Sequence, residues 1–129
     1  MTRIITFGTF DVFHVGHLNI LERAAALGDY LAVGVSTDAL NFSKKGRNPI
    51  YPQDERIAII RSLRCVNETF LEESMEEKGD YIRDYRADIL VMGEDWKDRF
   101  DEFRKVCEVV YLPRTPSVST TVVIERIRR

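Results

Sequence analysis

The chain has 129 residues, enough for one domain with its own core and too few for two ordinary domains. Its formal net charge of −2 gives no overall attraction to nucleic acid, and no apolar run is long enough for a signal peptide or a membrane span. The two cysteines, Cys65 and Cys107, stand far apart with no histidine beside them, which indicates buried thiols and not a metal site or a redox pair. We therefore expect a single cytoplasmic domain over residues 1–129.

The distribution of apolar residues predicts alternating strands and helices along the chain. Short apolar runs, typical of strands buried on both faces, occur at Arg3–Phe7, Tyr30–Val35, Val66–Phe70, Ile89–Met92 and Val109–Leu112. Helical patterns occur at Gly16–Ala26, Gln53–Ser62, Ser74–Tyr85, Arg99–Lys105 and Thr120–Ile127. This alternation predicts an α/β fold, a single-domain Rossmann-like open parallel five-stranded sheet with helices on both faces.

The segment Asn41–Pro52 interrupts this alternation and is predicted to be one long irregular loop. It carries Lys44, Lys45 and Arg47. A loop of that length in a compact domain is usually functional, and its cations suit phosphate groups. A solvated charged loop would have the same composition, so both interpretations stay open at this point.

The most informative motif follows the first predicted strand, where Gly8-Thr9-Phe10-Asp11 leads into His14-Val15-Gly16-His17. It contains the only two histidines of the chain, and a predicted helix begins within it. A helix start offers free N–H groups and a partial positive charge, both of which favour an anionic ligand. His14 and His17 can share one face of the opening turn, and Gly16 keeps the space between them open. The motif therefore predicts a phosphate-binding site.

Three further polar clusters follow predicted strands. Basic residues at 44–47 come after the second strand, Gly93-Glu94-Asp95-Trp96 after the fourth, and the run from Arg114 to Thr121 after the fifth. In open parallel sheets, ligands bind beyond the carboxyl ends of the strands. We therefore expect all four clusters to converge on one cleft.

Together these motifs resemble the nucleotidylyltransferases with a His-x-Gly-His signature, and most closely the glycerol-3-phosphate cytidylyltransferases. The resemblance covers nearly the whole chain and rests on the segments 8–17, 36–38, 92–96 and 114–121. The tetrapeptide alone is a weak signal, but its place after a strand and the distant Arg-Thr-x-x-x-Ser-Thr-Thr element make the match specific. Pro116-Ser117 stands where the choline and ethanolamine branches more often carry Glu-Gly, which favours the glycerol-phosphate branch.

The resemblance implies transfer of CMP from CTP to sn-glycerol 3-phosphate, giving CDP-glycerol and diphosphate for a teichoic-acid or capsule-type polymer. It implies Mg²⁺ bound mainly through the CTP phosphates, with no metal-binding side chains, and a homodimer without nucleic-acid or membrane partners. The residues implied to be catalytic are His14, His17, Lys44 and Arg114. Those implied to bind substrates are Thr9, Phe10, Asp11, Gly16, Lys45, Arg64, Asp95, Trp96, Thr115, Ser119 and Thr120.

Several alternatives stay open at this stage. Either Lys45 or Arg47 could correspond to a second lysine of the family. Arg64 could be an ordinary helix C-terminal charge, and Trp96 could be a packing residue. The fold could also serve another alcohol phosphate, an adenylyl donor, or a nucleotide-binding module without turnover.

Overall fold

Five parallel strands in the order β3-β2-β1-β4-β5 form the centre of the computed structural model, which describes residues 1–129. The strands are β1 (Arg3–Gly8), β2 (Tyr30–Ser36), β3 (Glu68–Glu72), β4 (Ile89–Gly93) and β5 (Glu108–Leu112). The central strand β1 pairs with β2 on one side and with β4 on the other. The sheet is therefore open and entirely parallel, as predicted.

Five α-helices and two short 3₁₀ helices cover the sheet. The α-helices are α1 (Val15–Ala25), α2 (Asp38–Lys45), α3 (Gln53–Arg61), α4 (Lys78–Asp84) and α5 (Thr120–Arg128), and the 3₁₀ helices are Glu94–Trp96 and Asp101–Lys105. None of the helices combines the length and the apolar character needed to cross a membrane.

Alternation of side chains along the strands produces two apolar layers. Ile4 points into one layer, which contains Leu21 of α1 and Ile60 of α3. The next residue, Ile5, points into the other layer, where α4 contributes Ile82. Helices therefore cover both faces, and the predicted Rossmann-like architecture is confirmed.

The helix α2 was not predicted, and the first half of the expected loop 41–52 is helical. The Thr37 side chain accepts a hydrogen bond from the N–H of Leu40 at 3.1 Å and caps this helix, and Gly46 ends it with a left-handed φ of 72°. The expected loop is therefore reduced to residues 46–52.

Three smaller differences concern element boundaries. The strand β3 begins two residues later than expected, and α4 begins at Lys78 instead of Ser74. The Ser74 Oγ accepts a hydrogen bond from the N–H of Glu76 at 3.2 Å, so a side-chain turn replaces the first helical turn. The helix expected at residues 99–105 is a short 3₁₀ helix.

The strand order opens a crevice at the carboxyl edge between β1 and β4. The chain leaves β1 toward the face of α1, whereas it leaves β4 toward the face where Phe100 packs. Connections that diverge in this way leave the ends of the two strands uncovered. The predicted polar clusters lie at this edge.

Candidate active site

A cleft of about 770 Å³ lies at the carboxyl edge of the sheet, and we call it the main cleft. It is lined by the turn from β1 to α1, the end of β4, and the segment from Pro113 into α5. A second cleft of about 210 Å³, the small cleft, shares Thr9, Lys45 and Trp96 with it. All four predicted clusters contribute residues to the main cleft, and the basic cluster also reaches the small cleft.

The two histidines are fixed by the start of α1. The Nδ1 atom of His14 accepts a hydrogen bond from the N–H of Gly16 at 3.0 Å, and His17 Nδ1 accepts one from the N–H of His14 at 3.2 Å. The two rings stack with their centroids 3.7 Å apart. Since each Nδ1 is an acceptor, the proton of each neutral ring is assigned to Nε2.

Both imidazoles are held neutral at neutral pH. Burial lowers the pKa of His17 to about 4, helped by the neighbouring His14 and opposed by Asp11. Burial, followed by the positive charge of Arg114, also lowers the pKa of His14. The site therefore offers Nε2–H groups as neutral hydrogen-bond donors and not as cations.

The orientation of His14 is completed by Thr120 at the start of α5. Thr120 Oγ1 donates to the carbonyl oxygen of Asp11 at 2.9 Å, and His14 Nε2 lies 3.4 Å from the same hydroxyl. Because the hydroxyl proton is already donated, its oxygen can accept from the His14 Nε2–H until a phosphate oxygen takes its place. This contact joins the first predicted motif to the last, 106 residues apart.

Gly16 is required by the position of the His14 ring. A Cβ at residue 16 would lie 2.8 Å from His14 Cε1 and 2.9 Å from Nδ1. Both distances are shorter than a Cβ atom tolerates, so any other residue here would displace the imidazole. The predicted spacing role of Gly16 therefore has a steric basis.

The turn before His14 is strained and held by packing. Phe10 and Val12 have positive φ angles of 55° and 48°, which L-residues rarely adopt and which cost about 1–3 kcal/mol each. The Phe10 side chain is buried and packs edge-on against His17, with ring centroids 5.5 Å apart. Its side chain therefore supports a histidine.

The Asp11 carboxylate holds the loop 46–52 beside the main cleft. Its Oδ2 accepts a hydrogen bond from the N–H of Ile50 at 2.8 Å, and its Oδ1 accepts one from the N–H of Tyr51 at 2.9 Å. Because both oxygens are engaged by backbone donors, Asp11 acts as a tether for this loop. That loop carries Arg47, which lines the main cleft.

The segment from Arg114 to α5 forms the opposite side of the main cleft. The Ser119 side chain accepts a hydrogen bond from the N–H of Val122 at 3.1 Å and caps α5. Thr115 Oγ1 accepts from the Asn19 side chain at 3.0 Å, which ties the segment to α1. The N-termini of α1 and α5 therefore both open on the main cleft, where they favour negative charge.

Arg114 is positioned by acidic residues that follow β4. Its guanidinium lies 3.2 Å from Asp95 Oδ2, and its backbone N–H donates to Glu94 Oε1 at 3.2 Å. Trp96 lines both clefts and packs against Phe100 with ring centroids 5.5 Å apart. Trp96 therefore has a packing role, and its accessible part remains available to a ligand.

The basic residues of the second predicted cluster divide between the two clefts. Lys44, near the C-terminus of α2, lines the small cleft with its Nζ 4.0 Å from Met75 Sδ. Partial burial there lowers the pKa of Lys44. Lys45 lines both clefts and Arg47 only the main one. Both residues therefore remain candidates for the position of the second lysine of the family.

Arg64 is not brought to either cleft. It lies exposed in the turn between α3 and β3, at the amino edge of the sheet. The nearby Asn67 pairs with the backbone of Leu31, near the start of β2, which fixes the turn at that edge. Within one chain Arg64 therefore lies away from both clefts, which are at the carboxyl edge, and its contact with a ligand stays a prediction.

A buried ion pair at the small cleft was not predicted from the sequence. Lys78 Nζ donates to Glu72 Oε2 at 2.7 Å, and the two side chains are 1% and 3% exposed. The Lys78 ammonium also lies 3.6 Å from the centroid of the Phe7 ring. The only signal in the sequence was an acidic residue two positions after the end of the predicted strand, because the six-residue spacing of the pair matches no helical pattern.

A second unpredicted residue, Arg56 of α3, is completely buried beneath the site. Its guanidinium donates to the carbonyl oxygens of Thr9 and Ser36 at 3.0 Å and 2.7 Å, and to Asp38 Oδ1 at 2.7 Å. It therefore joins the turn after β1, the end of β2 and the start of α2. An arginine in an exposed-looking helix gave no sign of this role.

The chain contains no group of three or more His, Cys, Asp or Glu side chains able to hold a metal ion. Of the three acidic side chains that line the main cleft, Asp11 binds backbone N–H groups, Asp95 pairs with Arg114, and Glu125 belongs to no acidic cluster. The side chains therefore do not fit a metal cage made by the protein alone.

An open parallel sheet that directs two helix N-termini, two neutral histidines and an arginine at one crevice is a nucleotide-binding α/β domain suited to phosphate chemistry. The chain belongs to the cytidylyltransferase-like family, whose model matches residues 5–126.

Curated relatives and solved structures are similar over almost the whole chain. It is 45% identical over 127 residues to the glycerol-3-phosphate cytidylyltransferase of Bacillus subtilis (strain 168), which covers 98% of each chain. It is 31% identical to the FAD synthase of Pyrococcus abyssi (strain GE5 / Orsay), covering 97% of this chain and 91% of that one. The solved structure of the lipopolysaccharide core biosynthesis protein from Thermoplasma volcanium GSS1 aligns with a TM-score of 0.78 and 27% identity, over 89% of this chain and 98% of that one.

Proposed function

We propose that this protein transfers CMP from CTP to sn-glycerol 3-phosphate, giving CDP-glycerol and diphosphate. The observation that carries the proposal is the pair of neutral, Nε2-protonated histidines at the place where the N-termini of α1 and α5 meet. Relatives that are 40–46% identical over more than 90% of this chain bear the name of this activity. CDP-glycerol is an activated donor suited to making a polyol-phosphate polymer.

The reaction matches the groups that the clefts provide. An oxygen of the acceptor phosphate attacks the α-phosphorus of CTP, the bond from that phosphorus to the bridging oxygen breaks, and the electron pair leaves with diphosphate. A phosphate monoester is already ionised near neutral pH, so no general base and no covalent intermediate are required. The need is for alignment and for donors to the developing negative charge.

The nucleotide phosphates are assigned to the main cleft. His14 and His17 present their Nε2–H groups there, and Arg114 adds a permanent positive charge. Neutral histidines suit this role because they can donate to phosphate oxygens without losing a proton during the reaction. Ser119 and Thr120 place the N-terminus of α5 on the opposite side.

The acceptor phosphate is assigned to the junction with the small cleft. Lys44 and Lys45 line that cleft, and Thr9 and Trp96 line both clefts. A phosphate held by these lysines would lie next to nucleotide phosphates held by the histidines. Such an arrangement converts a bimolecular reaction into one between positioned neighbours.

Mg²⁺ enters, in this proposal, as part of the magnesium–nucleotide substrate. No cage of protein carboxylates is available for it, whereas triphosphate oxygens are good ligands. Bound there, the ion would neutralise charge on the departing diphosphate.

Pyrophosphate release from the purified protein tests the assignment. CTP, ATP, GTP and UTP are each combined with glycerol 3-phosphate, phosphocholine, phosphoethanolamine, ribitol 5-phosphate and FMN in the presence of Mg²⁺. Release with CTP and glycerol 3-phosphate alone is expected. Release only with ATP and FMN would favour the second candidate, to which the 31% identity with FAD synthases points, and no release at all would favour a binding module.

Substitution of the histidines tests the assigned mechanism. His14→Ala and His17→Ala are each expected to lower kcat by about a hundredfold or more, the scale for losing a donor to transition-state charge. Exposed Glu73→Gln is the matched control and should retain the activity of the unaltered protein. Near-normal turnover in both histidine variants would contradict the mechanism.

We also propose a homodimer. Light scattering at assay concentration is expected to give twice the chain mass of 15.0 kDa. A mass of one chain would refute this proposal without affecting the assigned reaction.

A further inference from the structure

The buried ion pair of Glu72 and Lys78 forms part of the wall of the small cleft. The Lys78 ammonium is occupied on two sides, by Glu72 Oε2 at 2.7 Å and by the face of the Phe7 ring. The charges of the pair cancel, so Lys78 does not add a free cation to this cleft. Lys44 and Lys45 are the remaining cationic side chains that line it.

The second carboxylate oxygen of Glu72 has no partner within the chain. Only Oε2 takes part in a side-chain hydrogen bond. No fully buried side-chain oxygen or nitrogen in the molecule lacks a partner, so Glu72 Oε1 retains access to the small cleft that it lines. A carboxylate that is 3% exposed and has an unused acceptor oxygen needs a donor from the cleft, which water supplies in the free protein and a ligand hydroxyl can replace.

The charge of this oxygen selects the chemistry of its ligand. A phosphate oxygen would be repelled by the carboxylate, whereas an alcohol hydroxyl can donate a charge-assisted hydrogen bond to it. The acceptor assigned above has both parts, a phosphate suited to Lys44 and Lys45 and an alcohol portion next to it. The small cleft therefore offers lysines to the phosphate of the acceptor and a carboxylate oxygen to its alcohol portion.

We propose that Glu72 Oε1 accepts a hydrogen bond from a hydroxyl of the acceptor alcohol and thereby selects polyol phosphates over simple alkyl phosphates. The inference rests on the proposed function for the identity of the acceptor. It makes Glu72 a specificity-determining residue, while Lys78 positions it by holding the other carboxylate oxygen.

The first experiment compares sn-glycerol 3-phosphate with propyl phosphate, which has the same carbon chain and no hydroxyl groups. A hydrogen bond to a charged group is expected to give the unaltered protein a preference of about 10- to 100-fold in kcat/KM. In Glu72→Gln this preference should fall by about tenfold through a higher KM for glycerol 3-phosphate, with the KM for CTP unchanged. Exposed Glu73→Gln removes the same charge from the next residue and should keep the full preference.

A second variant guards against loss of folding. E72Q alone leaves the Lys78 ammonium buried without its counter-charge, which is destabilising. The double variant E72Q/K78Q contains neither charge and is expected to fold and to show the same loss of preference. If both variants lose activity equally toward the two acceptors, Glu72 is only structural and the inference is wrong.

Direct binding separates this inference from the proposed function. Trp96 is the only tryptophan and lines the small cleft, so its fluorescence can report binding without turnover. If glycerol 3-phosphate supports no pyrophosphate release, the proposed function fails, yet a hydroxyl-dependent affinity that E72Q abolishes would still support the role of Glu72. Equal affinities of the unaltered protein for glycerol 3-phosphate and propyl phosphate would overturn it, whatever the turnover.

Discussion

The protonation of His17 links the architecture of the site to a measurable pH dependence of stability. Burial next to His14 lowers the pKa of His17 to about 4 from its ordinary value of 6.5. Between these two pH values, the unfolded chain binds a proton at residue 17 that the folded chain excludes. The unfolding free energy therefore falls as the pH is lowered through this window, and the contribution is complete above about pH 6.5.

The size of the effect follows from the two pKa values. At about 1.4 kcal/mol per pH unit, the difference corresponds to about 3 kcal/mol. His17→Asn removes the titrating group but keeps a side-chain oxygen that can replace Nδ1 as the acceptor for the His14 N–H. Between pH 7 and pH 4, the unaltered protein should lose about 3 kcal/mol more stability than this variant.

Urea denaturation followed by circular dichroism at several pH values measures this difference. Carboxylates also titrate in this range, but they are common to both proteins and cancel in the comparison. The chain has only two histidines, so proton NMR can follow each imidazole separately. A His17 signal that titrates near pH 6.5, or equal pH dependence of the two proteins, would refute the assignment.

Three further substitutions test how the site is held in place. Gly16→Ala should lower kcat by about tenfold or more while leaving the fold intact, because its Cβ would displace His14, and steady-state kinetics with a thermal melt checks both. Asp11→Asn should cost about 1–2 kcal/mol in a urea titration and increase hydrogen exchange at the Ile50 amide, since one loop hydrogen bond is lost. Arg56→Met should cost about 3 kcal/mol in the same titration because it removes the hydrogen bonds to the carbonyl oxygens of Thr9 and Ser36 and leaves Asp38 without its counter-charge.

Each of these expectations has an outcome that contradicts it. Normal kcat in Gly16→Ala would mean that the ring of His14 moves without consequence. Unchanged exchange at Ile50 in Asp11→Asn would show that the loop does not depend on the carboxylate. For Arg56, the exposed Arg61 of the same helix provides the control, since Arg61→Met should change stability by less than about 0.5 kcal/mol.

Local patterns in the sequence determined most of the strands, the parallel sheet and the turn that carries the two histidines. Short apolar runs are readable because a strand covered on both faces needs apolar residues at every position. His14, Gly16 and His17 act on one another within a single helical turn, so their spacing alone carries the relevant geometry. The helix α2 was missed although its Thr37 cap is a local signal, because this short helix also depends on the hydrogen bond from Arg56, 18 residues away, to Asp38.

The roles of residues that contact partners far away in the sequence were decided only by the tertiary structure. The sequence does not reveal that Thr120 hydrogen-bonds to the turn after β1 or that the Asp11 carboxylate binds the backbone of the loop 46–52. It also does not reveal that Arg56 joins three segments of the chain by hydrogen bonds. Arg64 is an example of the opposite kind, because its spacing resembles that of a family site residue while the fold places it outside both clefts of its own chain. The physical reason is the same throughout: periodicity and capping act between residues close in sequence, whereas hydrogen bonds and burial at a sheet edge depend on how separate strands are brought together.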